Sequence, residues 1–263
     1  RWRPHVKTVK QPTIIGALMD AGVHRFKAAT PAEVALVLET ADLRTRPEPV
    51  DVLLAYPAAP PQLAAMLDLR REHSDARIGL LADSPGHAEE LVRGIGTPTG
   101  LPAFDLWLDV DVGMHRTGSH AEVWRHAELA ESPWLRLAGL HGYEGHLHWH
   151  DHAAATAAYD ALCELARALP RPALQLCTSG THAYAHALAH AGLASGPWSH
   201  QVGPGTLVLS DRRSTHAAAD DDFADDADDS DDDSDFGAGV VSEIDPSAGL
   251  SCIPLHPLDG GRK

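Results

Sequence analysis

The chain has 263 residues, of which 44% are hydrophobic, so it is long enough to bury a sizeable core in one large domain or two small ones. No run of 18 apolar residues occurs, which argues against a membrane span. The formal net charge of −16 is concentrated in one stretch, because 11 aspartates and no basic residue lie between Asp220 and Asp235. The rest of the chain is only mildly acidic and lacks the basic surface that nucleic-acid binding requires.

Short β-rich runs alternate with helical periodicity through the first 211 residues. The eight predicted strands are 2–7, 24–28, 50–55, 77–81, 104–110, 135–141, 173–177 and 205–209. The seven predicted helices are 13–22, 31–41, 61–73, 85–95, 121–130, 153–169 and 181–191. This alternation favours a parallel sheet with right-handed crossovers, and eight units favour a (β/α)8 barrel of the TIM type. An open doubly wound sheet is the alternative, although the G-x-G-x-x-G fingerprint is absent after the first strand.

The alternation ends after Ser210, and the chain divides there into three predicted parts. The barrel occupies 1–211. Residues 212–238 are a low-complexity acidic segment that is expected to be disordered, since its composition cannot form a core. Residues 239–263 can supply only one or two strands. Three widely spaced cysteines, Cys163, Cys177 and Cys252, indicate free thiols in a reducing compartment, so we expect a cytoplasmic protein.

Lys7 lies at the carboxyl end of the first predicted strand, after the segment Arg3-Pro4-His5-Val6. Ligands of α/β folds bind at that end of the sheet. A half-buried lysine there becomes an amine nucleophile that can form a Schiff base, because burial lowers its pKa. An ordinary solvated lysine is the alternative.

Two loops rich in glycine and hydroxyl groups are candidates for phosphate binding. Thr178-Ser179-Gly180-Thr181 follows the seventh predicted strand and opens a helix, and Gly203-Pro204-Gly205-Thr206 leads into the eighth. Backbone N–H groups at such a helix start favour phosphate, and barrels often bind phosphate near strands seven and eight. An ordinary helix cap is the alternative for either loop taken alone.

A lysine, a phosphate site, an arginine and an aromatic residue around one barrel mouth together suggest pyridoxal phosphate. Lys7 would hold the aldehyde as an imine, Arg116 would hydrogen-bond a ring heteroatom, and Tyr143 would pack on the ring. The alternatives are an ion pair of Arg116 with Asp109 or Asp111, and simple packing of Tyr143.

Five segments resemble, in chain order, the D-threonine aldolase and D-serine dehydratase family of alanine racemase-like, fold-type III pyridoxal phosphate enzymes. They are Arg3 to Thr8, His24 to Glu33, Asp51 to Tyr56, Asp109 to Gly118 and Gly139 to His146. The resemblance covers about residues 1–211. It implies a barrel like the alanine racemase N-terminal domain and a lyase that cleaves β-hydroxy-D-amino acids, by retro-aldol cleavage or by elimination.

The resemblance also assigns roles to individual residues. Lys7 is implied to be the catalytic Schiff-base lysine. The implied cofactor contacts are Arg116 and Tyr143 at the ring, and Ser179, Gly180, Thr181, Gly205 and Thr206 at the phosphate. Alanine racemases have an arginine facing the pyridine nitrogen where this chain has Gly203, which favours the aldolase and dehydratase branch over racemase chemistry.

The chain departs from the family pattern chiefly at its end. Val9 replaces a usual histidine, and Asp211 is followed by Arg212 instead of the usual Asp-x-Gly-Tyr continuation. The family's C-terminal β domain carries a His-x-Cys or His-x-Asp pair for a divalent metal, such as Mn²⁺ or Zn²⁺, and completes the partner's active site. Residues 239–263 look like a remnant of it, and the sequence begins at Arg1 without a methionine, so the chain looks truncated at both ends. Without that domain, the homodimer that the resemblance implies is doubtful for this chain.

The metal ligands stay unassigned at this stage. Alternate histidines of an extended segment share one side, so His146, His148, His150 and His152 could meet a metal, and a solvated polar rim is the alternative. The implied lyase would take a small D-amino acid as its substrate. Two alternatives stay open: the chain is a non-catalytic pyridoxal phosphate-binding or homeostasis protein, or it is an inactive remnant of an enzyme.

Overall fold

A parallel sheet of seven strands forms the centre of the computed structural model, which describes residues 1–45, 47–97, 100–129, 132–169 and 174–209. The strands are β1 (Arg25–Ala28), β2 (Asp51–Leu54), β3 (Arg77–Ala82), β4 (Phe104–Asp109), β5 (Leu135–Gly142), β6 (Gln175–Thr178) and β7 (Ser199–Val202). Neighbours in the chain are neighbours in the sheet, from β1 to β7. This sequential order is that of a curled α/β half-barrel, and it contradicts the doubly wound alternative, in which the order reverses.

Eight α-helices precede or connect these strands among the described residues. They are α1 (Pro12–Asp20), α2 (Pro31–Asp42), α3 (Pro60–Glu72), α4 (Pro85–Ile95), α5 (Ala121–Arg125), α6 (His152–Ala168), α7 (Tyr184–Ala189) and α8 (Ala191–Ser195). Proline at the first position begins α1 to α4, where its missing N–H costs nothing. Thr30 and Ser84 cap α2 and α4 with their hydroxyls. None of these helices is long and apolar enough to cross a membrane.

Apolar side chains leave the sheet on both faces. The larger core lies between the sheet and the helices, and it includes residues such as Val52, Leu80 and Leu140. A smaller cluster on the other face contains Leu53, Leu81, Ala55, Cys177 and Trp107. Strands buried on both faces are typical of parallel sheets, and this burial explains their continuous apolar runs.

The predicted first strand, 2–7, is only partly confirmed. Trp2 bridges Val202 of β7 and His5 bridges Lys27 of β1, so the segment is hydrogen-bonded to both edge strands. It forms no continuous ladder, because Pro4 has no N–H to donate, and Val6–Thr8 then turns as 3₁₀ helix. A sheet of seven strands is therefore observed in place of the predicted eight-stranded barrel.

The predicted last strand, 205–209, is wrong. The strand lies earlier, at Ser199–Val202, and Thr206–Val208 forms a 3₁₀ turn. The polar run Ser199-His200-Gln201 hides this strand in the sequence, yet Gln201 is fully buried beside Arg3. The Gly203-to-Thr206 loop consequently follows a strand, at the end of the sheet where ligands bind. The predictions for 212–238 and 239–263 lie outside the described residues.

Candidate active site

A cavity of about 210 Å³ opens at the carboxyl ends of the strands. Its wall is formed by His5, Lys7, Thr8, Lys27, Tyr143, Gly180, Thr181, His182, Gly203, Pro204, Gly205 and Thr206. Six of the eight predicted site residues belong to this wall, and Arg116 and Ser179 do not, so the strand order brings distant loops together. The wall contains lysines, hydroxyls and glycines, and it contains no carboxylate.

Lys7 is exposed at the mouth of the cavity, on the 3₁₀ turn that follows His5. The backbone N–H of Lys7 donates to Nδ1 of His5 at 3.3 Å. Desolvation lowers the pKa of the Lys7 amine, the cations Arg116 and Lys27 lower it further, and Glu33 opposes them. A lower pKa leaves more of the amine unprotonated, which is the nucleophilic form.

The two predicted phosphate loops contact each other through their hydroxyls. The Thr181 and Thr206 hydroxyls are hydrogen-bonded. The second loop also lies against the lysine segment, because a Cβ on Gly205 would come 2.2 Å from the carbonyl oxygen of His5. The predicted helix start at Thr181 is wrong, since α7 begins at Tyr184. Loop hydroxyls and backbone groups, and not a helix terminus, therefore face the cavity here.

Ser179 lies behind the cavity wall and is fully buried. Its backbone is in the left-handed region, with φ of 76°, and its N–H donates to Glu144 Oε2 at 3.0 Å. The hydroxyl of Tyr159 donates to the other oxygen of Glu144 at 2.7 Å. Burial raises the pKa of Glu144, against the hydrogen bonds from Tyr159 and Ser179. In this arrangement Ser179 supports the Gly180 loop from behind.

Arg116 and Tyr143 lie together at the mouth. The guanidinium of Arg116 is 4.8 Å from the centroid of the Tyr143 ring, within the range of a cation–π contact. Asp109 and Asp111 are paired with histidines instead of with Arg116. Tyr143 packs against the phosphate loop, since a Cβ on Gly180 would come 3.3 Å from its ring and hydroxyl. Burial raises the pKa of the Tyr143 phenol, the cation Arg116 opposes this, and Glu144 adds a smaller upward contribution.

Three buried polar residues lie at the inner end of the site: Lys27, His141 and Asp109. Sequence reasoning gave Lys27 and His141 no role and considered Asp109 only as an alternative partner of Arg116. Lys27 Nζ lies 3.4 Å from His141 Nε2, and His141 Nδ1 lies 2.7 Å from Asp109 Oδ1. Two features of the sequence could have indicated these residues: a lysine inside the apolar strand Phe26-Lys27-Ala28, and His141 near the end of the strand β5.

The histidine loop does not form the metal site that one alternative proposed. Backbone hydrogen bonds from Leu147 to Glu144 and from Asp151 to His148 turn the segment, so it is not the extended strand that this alternative required. The rings of His148 and His150 stack 5.7 Å apart. Among the described residues, no group of three or more His, Cys, Asp and Glu side chains is arranged to hold a metal ion.

Comparisons with known proteins give related folds and one related sequence, while no family model matches. The chain is 32% identical over 122 residues to D-threo-3-hydroxyaspartate dehydratase of Delftia sp. strain HT23. Those 122 residues are 46% of this chain and 29% of that protein. The solved structure of a D-threo-3-hydroxyaspartate dehydratase from Delftia sp. HT23 matches with a TM-score of 0.61 and 27% identity, over 80% of this chain and 54% of that one.

Two more distant structures share the fold. D-threonine aldolase from Filomicrobium marinum matches with a TM-score of 0.63 and 21% identity, over 82% of this chain and 57% of that one. The biosynthetic alanine racemase from Pseudomonas aeruginosa matches with a TM-score of 0.56 and 16% identity, over 83% of this chain and 56% of that one. The chain therefore spans little more than half the length of the solved structures that it matches.

Proposed function

We propose that this chain, which belongs to the alanine racemase-like, fold-type III family of pyridoxal phosphate enzymes, carries the cofactor site of a lyase that acts on β-hydroxy-D-amino acids. The observation that carries the proposal is the cavity itself. It combines an exposed lysine whose pKa is lowered with two hydroxyl- and glycine-rich loops and an aromatic ring.

The residues present fit pyridoxal phosphate. Gly203 and Gly205 line the cavity with backbone only, and a Cβ at either position would collide with Lys27 or with His5. A wall without carboxylates suits a phosphate. When bound, the cofactor supplies an electron sink for bonds that break at the substrate α-carbon.

The roles of the chain's own residues follow from their positions. Lys7 would attach the cofactor aldehyde and, once displaced by the substrate amine, accept or return a proton at Nζ. Gly180, Thr181, Gly205 and Thr206 would hold the phosphate through N–H and hydroxyl groups, with Ser179 placing the first of these loops. Tyr143 would lie against the ring. Arg116, which stacks on Tyr143, would hydrogen-bond a heteroatom at the ring edge.

The substrate class is supported by the relatives, whose names are those of a D-threonine aldolase and a D-threo-3-hydroxyaspartate dehydratase. Both names denote amino acids with a β-hydroxyl group. We propose the same class here, with retro-aldol cleavage of a D-threonine-type substrate or elimination from a D-serine-type substrate as the reaction. The described residues do not fit a metal site, so the proposal includes no metal step.

Covalent trapping tests the attachment site. Purified protein is mixed with pyridoxal phosphate, the absorbance spectrum is recorded, and borohydride then fixes the label for peptide mapping. We expect a visible absorbance band and a label on Lys7, lost in Lys7→Arg and kept in Lys10→Arg. A label on Lys10 or Lys27 would contradict the assignment. Release of aldehyde with glycine, or of keto acid with ammonia, then separates the two reactions.

A second candidate function is pyridoxal phosphate binding without turnover. It is favoured by one observation: Lys7 and the phosphate-loop residues Gly180, Thr181, Gly205 and Thr206, which would hold the cofactor, all line one cavity. Cofactor affinity and lyase turnover should be measured on the same preparation. Tight binding with no product from D-threonine or D-serine would favour this candidate.

A further inference from the structure

Lys27 is a buried lysine without an acidic partner among the described residues. It lies in β1 with 1% of its surface exposed. Its Nζ atom is 3.4 Å from Nε2 of His141 and 5.5 Å from the centroid of the Tyr143 ring. Buried lysines normally pair with carboxylates, because desolvating an unpaired charge is costly. Packing alone therefore does not explain why a lysine occupies this buried position.

His141 and Asp109 hold the ammonium of Lys27 in place. Burial and the nearby Lys27 lower the pKa of His141, so its ring is neutral. Its Nδ1–H then donates to Asp109 Oδ1 at 2.7 Å, which leaves Nε2 to accept from Lys27. The second oxygen of Asp109, Oδ2, is buried without a hydrogen-bond partner among the described residues. Three strands, β1, β4 and β5, thus fix one cation.

Lys27 and Lys7 line the same cavity, and none of the described residues that line it with them carries a carboxylate. His5 contacts both lysine residues, since its backbone bridges Lys27 and its ring accepts from the backbone N–H of Lys7. The pKa of His5 is lowered to about 2 by burial first, and then by Lys27 and Lys7. The neutral ring of His5 therefore carries no charge that could offset the charge of Lys27. Lys27 is one of the two cations that lower the pKa of the Lys7 amine.

We propose that Lys27 is a positioning residue for Lys7: its buried side chain, held by His141 and Asp109 in the wall of the same cavity, keeps the Lys7 amine ready to react. This inference rests on the proposed function, in which Lys7 attaches the cofactor. In that attachment the Nζ lone pair of Lys7 bonds to the aldehyde carbon, a C=N bond replaces C=O, and both amine protons leave with the oxygen as water. A protonated amine has no lone pair for the first step.

Other charged groups face Lys7 as well, and their positions separate their effects. Arg116 acts in the same direction as Lys27 and more strongly, while Glu33 of α2 acts in the opposite direction. Arg116 is exposed, so dissolved salt screens its charge, whereas Lys27 is buried and is screened much less. The contribution of Lys27 should consequently persist at high salt, and that of Arg116 should fade.

Competitive acetylation of the cofactor-free protein tests this without any turnover. Trace acetic anhydride is reacted across a pH series, and the acetylation of Lys7 is followed by mass spectrometry against Lys10, which lies outside the cavity. Lys27→Met removes the charge, Lys27→Gln removes it but can still donate to His141, and Lys27→Arg keeps it. Melting curves verify that each variant is folded, and Lys27→Gln serves if Lys27→Met does not fold.

We expect the midpoint of Lys7 acetylation to rise by about one pH unit in the two neutral variants, which is roughly a tenfold loss of reactive amine near neutral pH. Lys27→Arg should stay close to the wild type, and the difference should survive 1 M salt. An unchanged midpoint in Lys27→Gln, or an equal rise in Lys27→Arg, would overturn the inference. Failure of the borohydride label to appear on Lys7 would instead count against the proposed function, so the two failures are distinguishable.

Discussion

A Cβ atom on Gly203 would lie 2.5 Å from Nζ of Lys27 and 2.8 Å from its Cε. The loop after β7 and the lysine of β1 are therefore fitted to each other, and the absence of a side chain at 203 is what admits the ammonium. The second glycine of this loop meets a different obstacle, because a Cβ on Gly205 would come 2.2 Å from the backbone carbonyl oxygen of His5.

Gly203→Ala and Gly205→Ala form a matched pair with different expected results. The end of a lysine side chain can move, so Gly203→Ala should displace Lys27 from His141 and cost less stability than Gly205→Ala. The carbonyl of His5 cannot move without the backbone. Gly205→Ala should therefore lower the free energy of unfolding by about 2 kcal/mol or more, at the upper end of what overpacking typically costs. Urea denaturation measures both, and equal costs would contradict this distinction.

His5 makes stability depend on pH in a defined window. Its pKa is about 2 in the folded protein and 6.5 ordinarily, so folding opposes its protonation. Its contribution is complete above pH 6.5 and is lost as the pH falls from there toward 2. In His5→Asn, whose side chain can still accept from the N–H of Lys7, that loss should be absent. Urea denaturation at several pH values should give curves that separate below about pH 6.5, and parallel curves would show that His5 is not the cause.

Glu144 links the Ser179 backbone to Tyr159. In Glu144→Ala the buried N–H of Ser179 loses its acceptor, at a cost of about 1–3 kcal/mol, while Tyr159 retains a longer contact with the carbonyl of Ala183. In Glu144→Gln one amide oxygen remains for Ser179, so the loss should be smaller. Thermal or urea unfolding measures both variants. A Glu144→Ala protein as stable as Glu144→Gln would show that this clamp does not support the loop.

The same residue predicts a second pH effect of opposite sign to that of His5. Burial raises the pKa of Glu144, so its contribution to stability is complete below the ordinary glutamate pKa and is lost as the pH rises through the folded-state value. Glu144→Gln does not titrate. Its stability relative to the wild type should therefore improve as the pH rises, and a constant difference across the series would contradict the raised pKa.

Local chemistry predicted most of the scaffold, and its failures have identifiable physical causes. Prolines at helix starts and hydroxyl caps predicted the helices of the first half of the chain. The predicted helix 85–95 matches α4, and the predicted ends of α1, α2 and α3 agree with the structure within about two residues. The last strand was missed because its buried Gln201 pairs with Arg3 and Gln175, contacts that only tertiary structure supplies. Lys27 was missed for the same reason, since its partners lie on distant strands.

The candidate site was predictable where chain order alone determined it. Loops that follow parallel strands must meet at one end of the sheet, and Lys7, Tyr143, Gly180 and the Gly205 loop do so. What the sequence could not predict is the depth of each side chain. Ser179 was expected to face the phosphate, and it is instead fully buried, because its left-handed backbone turns its N–H toward Glu144.

Beneath the site, Arg3 and Asp51 form a buried ion pair that joins the N-terminal segment to β2. Both guanidinium nitrogens of Arg3 donate to Asp51 oxygens at 2.8 Å, and the guanidinium lies 5.2 Å from the centroid of Trp107. Asp105 offers a matched control. It pairs with Arg77 at 2.9 Å, but the Arg77 side chain is 52% exposed and can be solvated when the partner is removed.

Asp51→Ala should therefore be far more destabilising than Asp105→Ala. The first leaves a fully buried guanidinium unpaired, for which a loss of about 3–5 kcal/mol is typical. The second breaks a pair whose cation lies at the surface, where about 0–1 kcal/mol is typical. Because Arg3 immediately precedes the lysine segment, Asp51→Ala should also weaken borohydride-trapped labelling of Lys7, whereas Asp105→Ala should leave it unchanged. Urea denaturation and peptide mapping measure both effects. Similar losses in the two variants would mean that Arg3 finds solvent or another partner, and that the segment before Lys7 is held by its backbone bridges to Val202 and Lys27 alone.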